Sequence, residues 1–470
     1  MARPTNHRRS NQPPKAQRTT RAALTAILAL TLLTATVTPI PFSEFLKFPF
    51  NPEKGPIPVP SKFGFIGIDN QDLSVAKDKI WYWFFPSRAN PKTDPLVIWL
   101  TGGPGCASDL AIGQENGPFI VNRETGEAEE RTWSWNRNSN MLYVDQPLGT
   151  GFSECGSGNF SLDEHDVTHV FYKFFTRWLE NPNFQQFKGR DLYVTGESYG
   201  GHYVPYISNM FFRSNNPDIR LKGLAIGNGL SDPDNQYTQY VPYATLPENL
   251  PYTKLSEQDI KDLTDWSGLC GMLTTRRNPM NTFNYKLVCA YIISIIEISP
   301  DPSKYSQKFN TYNIKLPCPK EFQLCYDMVY LTDFFNRKDV QQFLGVNKTW
   351  VQCDNVSGNK IRKADWWNYA APQLIPLLEN GVKVLIYSGD LDFICNWKGG
   401  DLWTNKLPWS GQKEFNRQKY VKKATGYGES KKWKNFEFLR FYDAGHMVPY
   451  DKPKESVMML NEFLGQPIPK

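Results

Sequence analysis

Six short apolar runs recur along the chain, with longer polar or amphipathic stretches between them. Runs of this length and composition are typical of strands that are buried on both faces of a sheet. The runs are LVIWL at 96–100, MLYVD at 141–145, LYVT at 192–195, LKGLAI at 221–226, VLIYS at 384–388 and FEFLRFY at 436–442. Because helical stretches such as residues 163–180 separate them, the chain is predicted to form an α/β fold around a central, mostly parallel sheet.

The carboxyl ends of parallel strands are where functional groups gather in such folds. Three of the six runs lead there into small or acidic residues, which read GES, SGDLD and DAGH. These three loops are therefore the first candidates for catalytic groups.

The charge of the chain gives no sign of a nucleic-acid partner. The formal net charge is +6, and the basic residues of the first 38 positions account for all of it, since no acidic residue occurs there. The rest of the chain is close to neutral. An aromatic content of 14% fits a globular enzyme with deep pockets.

The N-terminal region has the layout of a secretory signal. An apolar stretch at 22–37 follows a basic leader, and it is shorter than the roughly 20 residues of a membrane span. We predict a signal peptide over 1–38 and no stable membrane span after its cleavage, with an uncleaved signal anchor as the alternative. Residues 39–61 are rich in proline and are predicted to be an extended arm or short pro-segment.

The remaining chain is divided by a stretch of different character. Residues 232–350 hold four cysteines and many Pro, Asn and Tyr residues. We predict that they form a cap inserted between a first core segment at 62–231 and a second at 351–470. The alternative is an ordinary continuation of the core.

Cysteines and glycosylation signals agree with passage through the secretory pathway. The chain has eight cysteines, which suits disulfide formation in an oxidising compartment. Three N-x-[S/T] triplets predict glycosylation at Asn159, Asn347 and Asn355.

The sequence GESYG contains a candidate nucleophile. It fits G-x-S-x-G, the strand-to-helix elbow that exposes a reactive serine, here Ser198. The carboxylate of Glu197 directly before the serine is unexpected, because a negative charge there hinders the formation of an oxyanion.

An activated serine needs a base, and the chain offers five histidines. His446 is the best candidate, because it follows the last predicted strand in a glycine-containing loop. The others are His7 in the leader, His202 one helical turn after the serine, and the pair His165 and His169, whose i,i+4 spacing suits either a metal or a solvated helix face.

The base needs an acid to orient it, and SGDLD offers both Asp390 and Asp392. The spacing alone does not choose between them. The order Ser…Asp…His is that of the α/β-hydrolases. For an oxyanion hole, the backbone N–H of Tyr199 and a glycine of the GGPG loop at 102–105 are the candidate donors.

The combination of motifs resembles the serine carboxypeptidase family of acid vacuolar and lysosomal exopeptidases. The resemblance runs from about residue 60 to 465, and its motifs are WLTGGPGC, VDQPLGTGFS, TGESYGGHYVP, GNGL, YSGDLDFICNW and AGHMVP. It implies an α/β-hydrolase fold with an inserted cap domain. It further implies Ser198 as nucleophile, Asp392 as orienter and His446 as base, with Gly103 and Tyr199 donating to the oxyanion.

The family activity implied is removal of C-terminal residues from peptides and proteins through an acyl-enzyme. The resemblance assigns recognition of the substrate carboxylate to Gly102, Glu115 and Glu197. This chain has Thr101 where the family has an asparagine, which removes one donor from the site. It also has Ala107 where the family usually has a serine.

Paired glutamates facing a substrate carboxylate imply an acidic optimum. Protonated Glu115 and Glu197 can donate to that carboxylate, and like charges raise their pKa values. Binding should then weaken toward neutral pH, while the base works better there. Met447 and aromatic residues of the cap are expected to line side-chain pockets that favour bulky apolar residues.

The family resemblance also implies three disulfides, Cys106–Cys353, Cys318–Cys325 and Cys270–Cys289. Cys395 resembles a free thiol near the site in some members. Cys155 has no partner assigned by the resemblance, so its pairing is open, with Cys395 as the alternative partner. No metal and no cofactor is expected. The partner is a peptide or protein with a free C-terminus, a homodimer is possible, and the destination is an acidic lysosome-like or vacuole-like compartment or the exterior.

Two other functions fit parts of the sequence. A relative with the same fold can pass its acyl group to another nucleophile and act as an acyltransferase or esterase. A binding or chaperone role without catalysis is the other alternative, and the intact Ser198, Asp392 and His446 argue against it.

Overall fold

The computed structural model describes residues 55–275, 309–319 and 325–468. The predicted signal peptide and most of the proline-rich arm lie outside the described residues. So does Cys289, and of Cys270 only the backbone is described, so the predicted Cys270–Cys289 pair lies outside what the structure describes. No helix of these three ranges is both long and apolar enough to cross a bilayer.

One large twisted sheet organises the fold, and a small hairpin stands apart from it. The strands are Lys62–Gly67 (β1), Asp78–Phe85 (β2), Leu96–Leu100 (β3), Phe119–Val121 (β4), Ala128–Glu130 (β5), Asn140–Asp145 (β6), Glu154–Cys155 (β7), Asp191–Glu197 (β8), Arg220–Gly227 (β9), Lys383–Gly389 (β10), Val421–Lys422 (β11), Gly428–Trp433 (β12) and Phe436–Phe441 (β13). The hairpin consists of β4 and β5.

The sheet is parallel in its middle and antiparallel at its edges. Its order is β1-β2-β6-β3-β8-β9-β10-β13-β12-β11, and β7 pairs with β2. The six strands from β6 to β13 in this order run parallel to one another. These are the six apolar runs of the sequence, so the prediction of a mostly parallel central sheet is confirmed.

Helices connect the strands and cover the sheet. They are Asp109–Gln114 (α1), Glu164–Glu180 (α2), Gly200–Arg213 (α3), Pro233–Gln236 (α4), Tyr240–Ala244 (α5), Leu250–Thr253 (α6), Glu257–Thr275 (α7), Val329–Phe335 (α8), Lys338–Leu344 (α9), Asn355–Asp365 (α10), Leu374–Glu379 (α11), Trp397–Lys406 (α12), Gln412–Arg417 (α13), Val448–Asp451 (α14) and Pro453–Leu464 (α15). Helices α4 to α11 lie in the chain between β9 and β10. The division into a core and a cap at 232–350 stays a prediction.

Strand β2 shows how the sheet builds an aromatic core on both faces. Side chains alternate along a strand, so Trp81, Trp83 and Phe85 share one face while Tyr82 and Phe84 share the other. Trp83 and Phe85 stack with ring centroids 5.4 Å apart. On the opposite face, Tyr82 and Phe84 contact an aromatic cluster at the end of α2 that includes Trp178, Phe184 and Phe187. Each such buried ring contributes roughly 1.5–3 kcal/mol to stability.

Candidate active site

Ser198 lies on the sharp turn between β8 and α3. Its backbone φ is 62°, in the left-handed region that residues with a Cβ rarely adopt. Two hydrogen bonds hold the turn, from Ser198 N to Gly227 O at 3.1 Å and from Leu230 N to Ser198 O at 2.9 Å. The strained turn leaves the serine partly exposed at the carboxyl edge of the sheet, as a nucleophile elbow requires.

His446 and Asp392 form a buried pair behind this edge. They follow the neighbouring parallel strands β13 and β10, and His446 Nδ1 lies 3.0 Å from Asp392 Oδ2. Their side chains are 3% and 0% exposed. The hydrogen bonds of the described residues include none between the Ser198 hydroxyl and His446 Nε2, a contact that often tightens only when substrate binds.

Asp390 and Asp392, between which the sequence spacing does not choose, have different contacts in the structure. Asp392 contacts the imidazole, whereas Asp390 Oδ1 accepts the backbone N–H of Asp443 at 2.8 Å. Burial raises the pKa of Asp390 to about 6. Asp390 therefore braces the loop that leads to His446 and does not touch the ring.

Asn228 is a residue of this site that the sequence analysis missed. Its Nδ2 donates to Asp392 Oδ2 at 2.7 Å, and its Oδ1 accepts the N–H of Gly389 at 3.2 Å. Its φ is 41°, a conformation that asparagine adopts more readily than most residues. The signal was present in GNGL, because this motif follows β9 at the same edge of the sheet as Ser198 and Asp392.

Two further donors surround the Asp392 carboxylate. The backbone N–H groups of Ile394 and Cys395 each lie 3.2 Å from one of its oxygens. These hydrogen bonds hold the carboxylate in place beside the imidazole. Cys395 is buried, and its sulfur lies within 4.8 Å of the ligand atoms of Asp392 and His446.

The GGPG loop packs directly against the serine elbow. A Cβ on Gly102 would lie 2.3 Å from Tyr199 N and 2.6 Å from Glu197 O, so only glycine fits there. Among the described loop hydrogen bonds between backbone groups, the N–H of neither Gly103 nor Tyr199 is a donor. The two groups that sequence analysis chose as oxyanion donors thus remain available to a ligand.

The Cys106–Cys353 disulfide fixes the end of this loop. Backbone hydrogen bonds flank it, from Ala107 N to Gln352 O at 2.9 Å and from Asp354 N to Gly105 O at 2.8 Å. The structure also contains the Cys318–Cys325 disulfide, while Cys155 forms none.

Glu115 and Glu197 are two buried carboxyl groups within hydrogen-bonding reach of each other. Glu115 follows the last turn of α1, Glu197 ends β8, and they are 0% and 2% exposed. Both oxygens of Glu115 and Oε2 of Glu197 accept no hydrogen bond from a donor group of the described protein. An ionised carboxylate in this position lacks compensation, so the arrangement favours protonated forms.

The pKa values of the two glutamates are raised, which agrees with protonated forms. Burial raises the pKa of Glu115 to about 7. Burial raises that of Glu197 well above its ordinary value, and the charge of Glu115 adds to the shift. In acid the pair therefore carries protons that it can donate to an anionic ligand.

Thr101 lies at the base of the same loop and is 7% exposed. The indole Nε1 of Trp99 donates to its hydroxyl oxygen at 2.9 Å. Its backbone N–H donates to Ser108 Oγ at 3.2 Å. Because the hydroxyl accepts from the indole, its own proton is available to a second acceptor.

The other histidines do not reach this constellation. His202 is buried, its ring stacks on Tyr199 at 4.4 Å, and burial lowers its pKa to about 4, so it is neutral. His165 and His169 are exposed on α2. Within the described residues, the cluster that could hold a metal consists of Asp392, Cys395 and His446 and includes neither of them.

The remaining residues singled out by the sequence are Met447 and the three predicted glycosylation sites. Met447 is buried directly after His446, and its backbone N–H donates to the hydroxyl of Tyr326 at 3.4 Å. The three predicted glycosylation sites, Asn159, Asn347 and Asn355, are all exposed.

The fold and this geometry define a class of protein. A serine on a strand-to-helix elbow, followed in the chain by an aspartate and a histidine that pair at the same edge of a mostly parallel sheet, defines a hydrolase of the α/β-hydrolase fold. The sequence model of one family, serine carboxypeptidase, matches residues 52–466. The chain belongs to this serine carboxypeptidase family, and it is a serine-type carboxypeptidase.

Individual relatives cover most of the chain. Serine carboxypeptidase-like 48 of Arabidopsis thaliana is 37% identical over 82% of this chain and 75% of its own length. Carboxypeptidase Y homolog A of Fusarium vanettenii is 34% identical over 86% of this chain and 73% of its own length. Among solved structures, Kex1(Δ)p, a prohormone-processing carboxypeptidase from Saccharomyces cerevisiae, has a TM-score of 0.72 at 27% identity. The match covers 86% of this chain and 91% of that one.

Proposed function

We propose that the protein removes C-terminal residues from peptides and proteins through an acyl-enzyme on Ser198, and that it works best in acid. The observation that carries this proposal is the buried Glu115–Glu197 pair next to the nucleophile. The pair turns a general serine hydrolase site into one that recognises a free carboxylate.

The positions of three side chains support the acylation step of this proposal. His446 takes the proton of the Ser198 hydroxyl as the oxygen attacks the scissile carbonyl carbon. Asp392 holds the ring and stabilises the imidazolium that forms. His446 then gives the proton to the leaving amine as the C–N bond breaks, and the acyl group stays on the serine.

Two backbone groups stabilise the charge on the carbonyl oxygen. The N–H groups of Gly103 and Tyr199 donate to the oxyanion of the tetrahedral intermediate. Water, deprotonated by His446, then attacks the acyl-enzyme and releases the shortened peptide. The same two N–H groups serve this second step.

The C-terminal carboxylate of the substrate binds beside the elbow. Protonated Glu115 and Glu197 donate to it, together with the Gly102 N–H and the Thr101 hydroxyl. The proton on Glu197 removes the negative charge that stands next to Ser198 in the sequence. The side chain of the leaving residue extends toward Met447, whose burial supports an apolar pocket wall there.

The two glutamates and the histidine need opposite protonation states, and this sets the pH range of the activity. The glutamates must be protonated, and the pKa of Glu115 near 7 supports binding in acid and its loss as the pH rises. The histidine must be unprotonated in the free enzyme. Activity on peptides is therefore highest in acid, and an ester without the carboxylate is hydrolysed faster at higher pH.

A comparison of two substrates tests the proposal. kcat/KM is measured between pH 4 and 8 for one blocked dipeptide with a free C-terminus and for its C-terminal amide, with Ser198→Ala as the inactive control. We expect strong preference for the free carboxylate at pH 5 that declines toward pH 8. Equal rates for the two substrates at pH 5 would contradict carboxylate recognition.

Disulfides and exposed glycosylation sites support a route through the secretory pathway, and the acidic optimum supports delivery to an acidic compartment. Fractionation of cells that produce the protein tests the destination. Sensitivity of the protein to a glycosidase would show that it has passed through the secretory pathway.

A further inference from the structure

A short polar segment, residues 310–315, lies between the two loops that carry Asp392 and His446. It belongs to the stretch that sequence analysis assigned to the cap, yet it is buried at the catalytic edge of the sheet. Asn310, Thr311, Asn313 and Ile314 are all less than 9% exposed. Because the segment contacts both loops, its position bears directly on the distance between the acid and the base.

Backbone hydrogen bonds join the segment to the loop of Asp392. Thr311 O accepts the N–H groups of Phe393 at 3.0 Å and Ile394 at 3.1 Å, and Ile314 N donates to Leu391 O at 3.0 Å. These bonds bracket Asp392 on both sides, which limits the movement of its carboxylate.

The other side of the segment holds the loop of His446. The N–H of His446 itself donates to Tyr312 O at 2.7 Å, and the Tyr312 ring meets the imidazole edge-on at 5.1 Å. A Cβ on Gly445 would lie 2.4 Å from the same Tyr312 oxygen. The histidine loop therefore packs against the segment with no room for a side chain before His446.

Asp451 joins the segment to the histidine loop through its side chain. Its Oδ2 accepts the Gly445 N–H at 2.6 Å and the Asn313 Nδ2 at 3.0 Å. One oxygen thus holds the residue before His446 and a side chain of the segment together. When Asp451 is ionised, these hydrogen bonds are charge-assisted and are stronger than those between neutral groups.

The segment has its own internal support. Asn310 Oδ1 accepts the N–H groups of Tyr312 at 2.8 Å and Asn313 at 3.0 Å, and Asn310 Nδ2 donates to Pro317 O at 3.1 Å. These bonds fix the turn independently of the two catalytic loops. The turn can then act as a rigid spacer between them.

We propose that residues 310–315 act as a clamp that sets the position of His446 relative to Asp392, and that Asp451 is a positioning residue for His446 through Gly445 and Asn313. The inference rests on the proposed function only in taking His446 as the base of the reaction. It assigns to the inserted stretch a part in building the catalytic pair.

Asp451 also has an electrostatic effect on the carboxylate site. Burial raises its pKa to about 6. The charged and titratable groups that face it are Lys452, Asp392, Glu115, Glu197 and Tyr326. When ionised, Asp451 raises the pKa values of Glu115 and Glu197 and so helps to keep them protonated.

The test separates positioning from carboxylate binding by using a probe without a carboxylate. A fluorophosphonate reacts with the Ser198 hydroxyl: an O–P bond forms, fluoride leaves and His446 takes the proton. We expect Asp451→Ala and Asn313→Ala to lower the labelling rate at pH 7 by about tenfold or more, because small displacements of a catalytic group are costly. KM for a peptide at pH 4.5 should change little.

The conservative variant Asp451→Asn gives a measurement that would not change if Asp451 had only a structural role. In Asp451→Asn the amide oxygen can still accept from Gly445, so labelling should stay within about threefold of wild type. Loss of the charge lowers the pKa values of the two glutamates. The decline of peptide kcat/KM should therefore begin at a lower pH, while ester hydrolysis keeps its profile.

Asp78→Ala is the matched control, because Asp78 is also buried and accepts two hydrogen bonds from Ser157, away from the site. Labelling of Asp451→Ala and Asn313→Ala within twofold of wild type overturns the proposal, as does an equal loss in Asp78→Ala. Should wild type label but fail to cleave free C-termini, the proposed function fails. The labelling rates of the variants still decide the role of the clamp.

Discussion

Asn228 Nδ2 donates to Asp392 Oδ2, the same oxygen that contacts His446 Nδ1. This one oxygen therefore joins the imidazole ring to the end of β9. The amide limits the rotation of the carboxylate. Asn228 thus supports the Asp392–His446 pair from the end of β9.

Removal of the Asn228 side chain should impair catalysis more than binding. In Asn228→Gly the left-handed backbone remains favourable, so the change isolates the lost hydrogen bonds. We expect kcat to fall about tenfold with KM within about twofold, since the orientation of His446 matters in the transition state. Steady-state kinetics on one peptide checks this, and an unchanged kcat would show that backbone donors alone orient Asp392.

Glu197→Gln should extend peptide activity toward neutral pH. The wild-type site loses its protons as the pH rises through the pKa values of the pair, about 7 for Glu115, and KM for a free C-terminus rises there. A glutamine donates at every pH, so KM should rise less between pH 6 and 8. KM profiles of the two proteins provide the comparison, with Glu115→Gln as a second variant; parallel profiles would contradict the role of proton donor.

The same pair should make folding stability depend on pH. The folded pKa of Glu115 is raised from 4.5 to about 7, so its contribution is fully present below pH 4.5 and is lost as the pH rises through 7. The double variant Glu115→Gln/Glu197→Gln removes this titration. We expect Tm of the variant minus Tm of wild type to grow between pH 4.5 and 7.5, by a few degrees. A constant difference in thermal scans would refute the assignment.

Thr101→Val should weaken carboxylate binding and also destabilise the fold. The change removes a donor to the substrate and leaves the buried Trp99 indole without its acceptor, at a cost of about 1–3 kcal/mol. KM for the free peptide should rise while that for its amide stays the same. Thr101→Ser, which retains the hydroxyl, is the control. If both variants bind the free peptide like wild type, the hydroxyl has no part in recognition.

Gly102→Ala should abolish activity, because its Cβ would press on the backbone of Tyr199 and Glu197. Displacement of the oxyanion donor costs about a hundredfold or more in kcat. The matched variant Gly268→Ala meets no atom within 4 Å of its added carbon and should leave kcat unchanged. Measurement of kcat for both variants decides whether this contact is as tight as the structure indicates.

The parallel strands of the sheet could be predicted because they leave local signals. Strands β3, β6, β8, β9, β10 and β13 are nearly continuous apolar runs, since parallel strands are covered on both faces. Strand β2 was missed, because the sequence DKIWYWFF lacks the alternation that marks an antiparallel strand. It is buried on both faces as well. Strand β12, GESKKW, is mostly polar and gives no pattern at all.

The parts of the site that escaped prediction depend on contacts between distant residues. Asn228 and Asp392 are 164 residues apart, and nothing near either one shows that they meet. Residues 310–315 are a polar run without periodicity, which in a sequence is typical of an exposed loop. Their burial follows from hydrogen bonds to two loops that are formed elsewhere in the chain.

The order of the strands along the chain determines when the site can form during synthesis. Ser198 and its elbow belong to the first half of the chain, whereas β13, which precedes His446, is the last of the described strands to be made and pairs with β10 and β12. A nascent chain thus displays a serine without a base while it emerges from the ribosome. The pair of Asp392 and His446 can therefore form only after nearly the whole chain has been made.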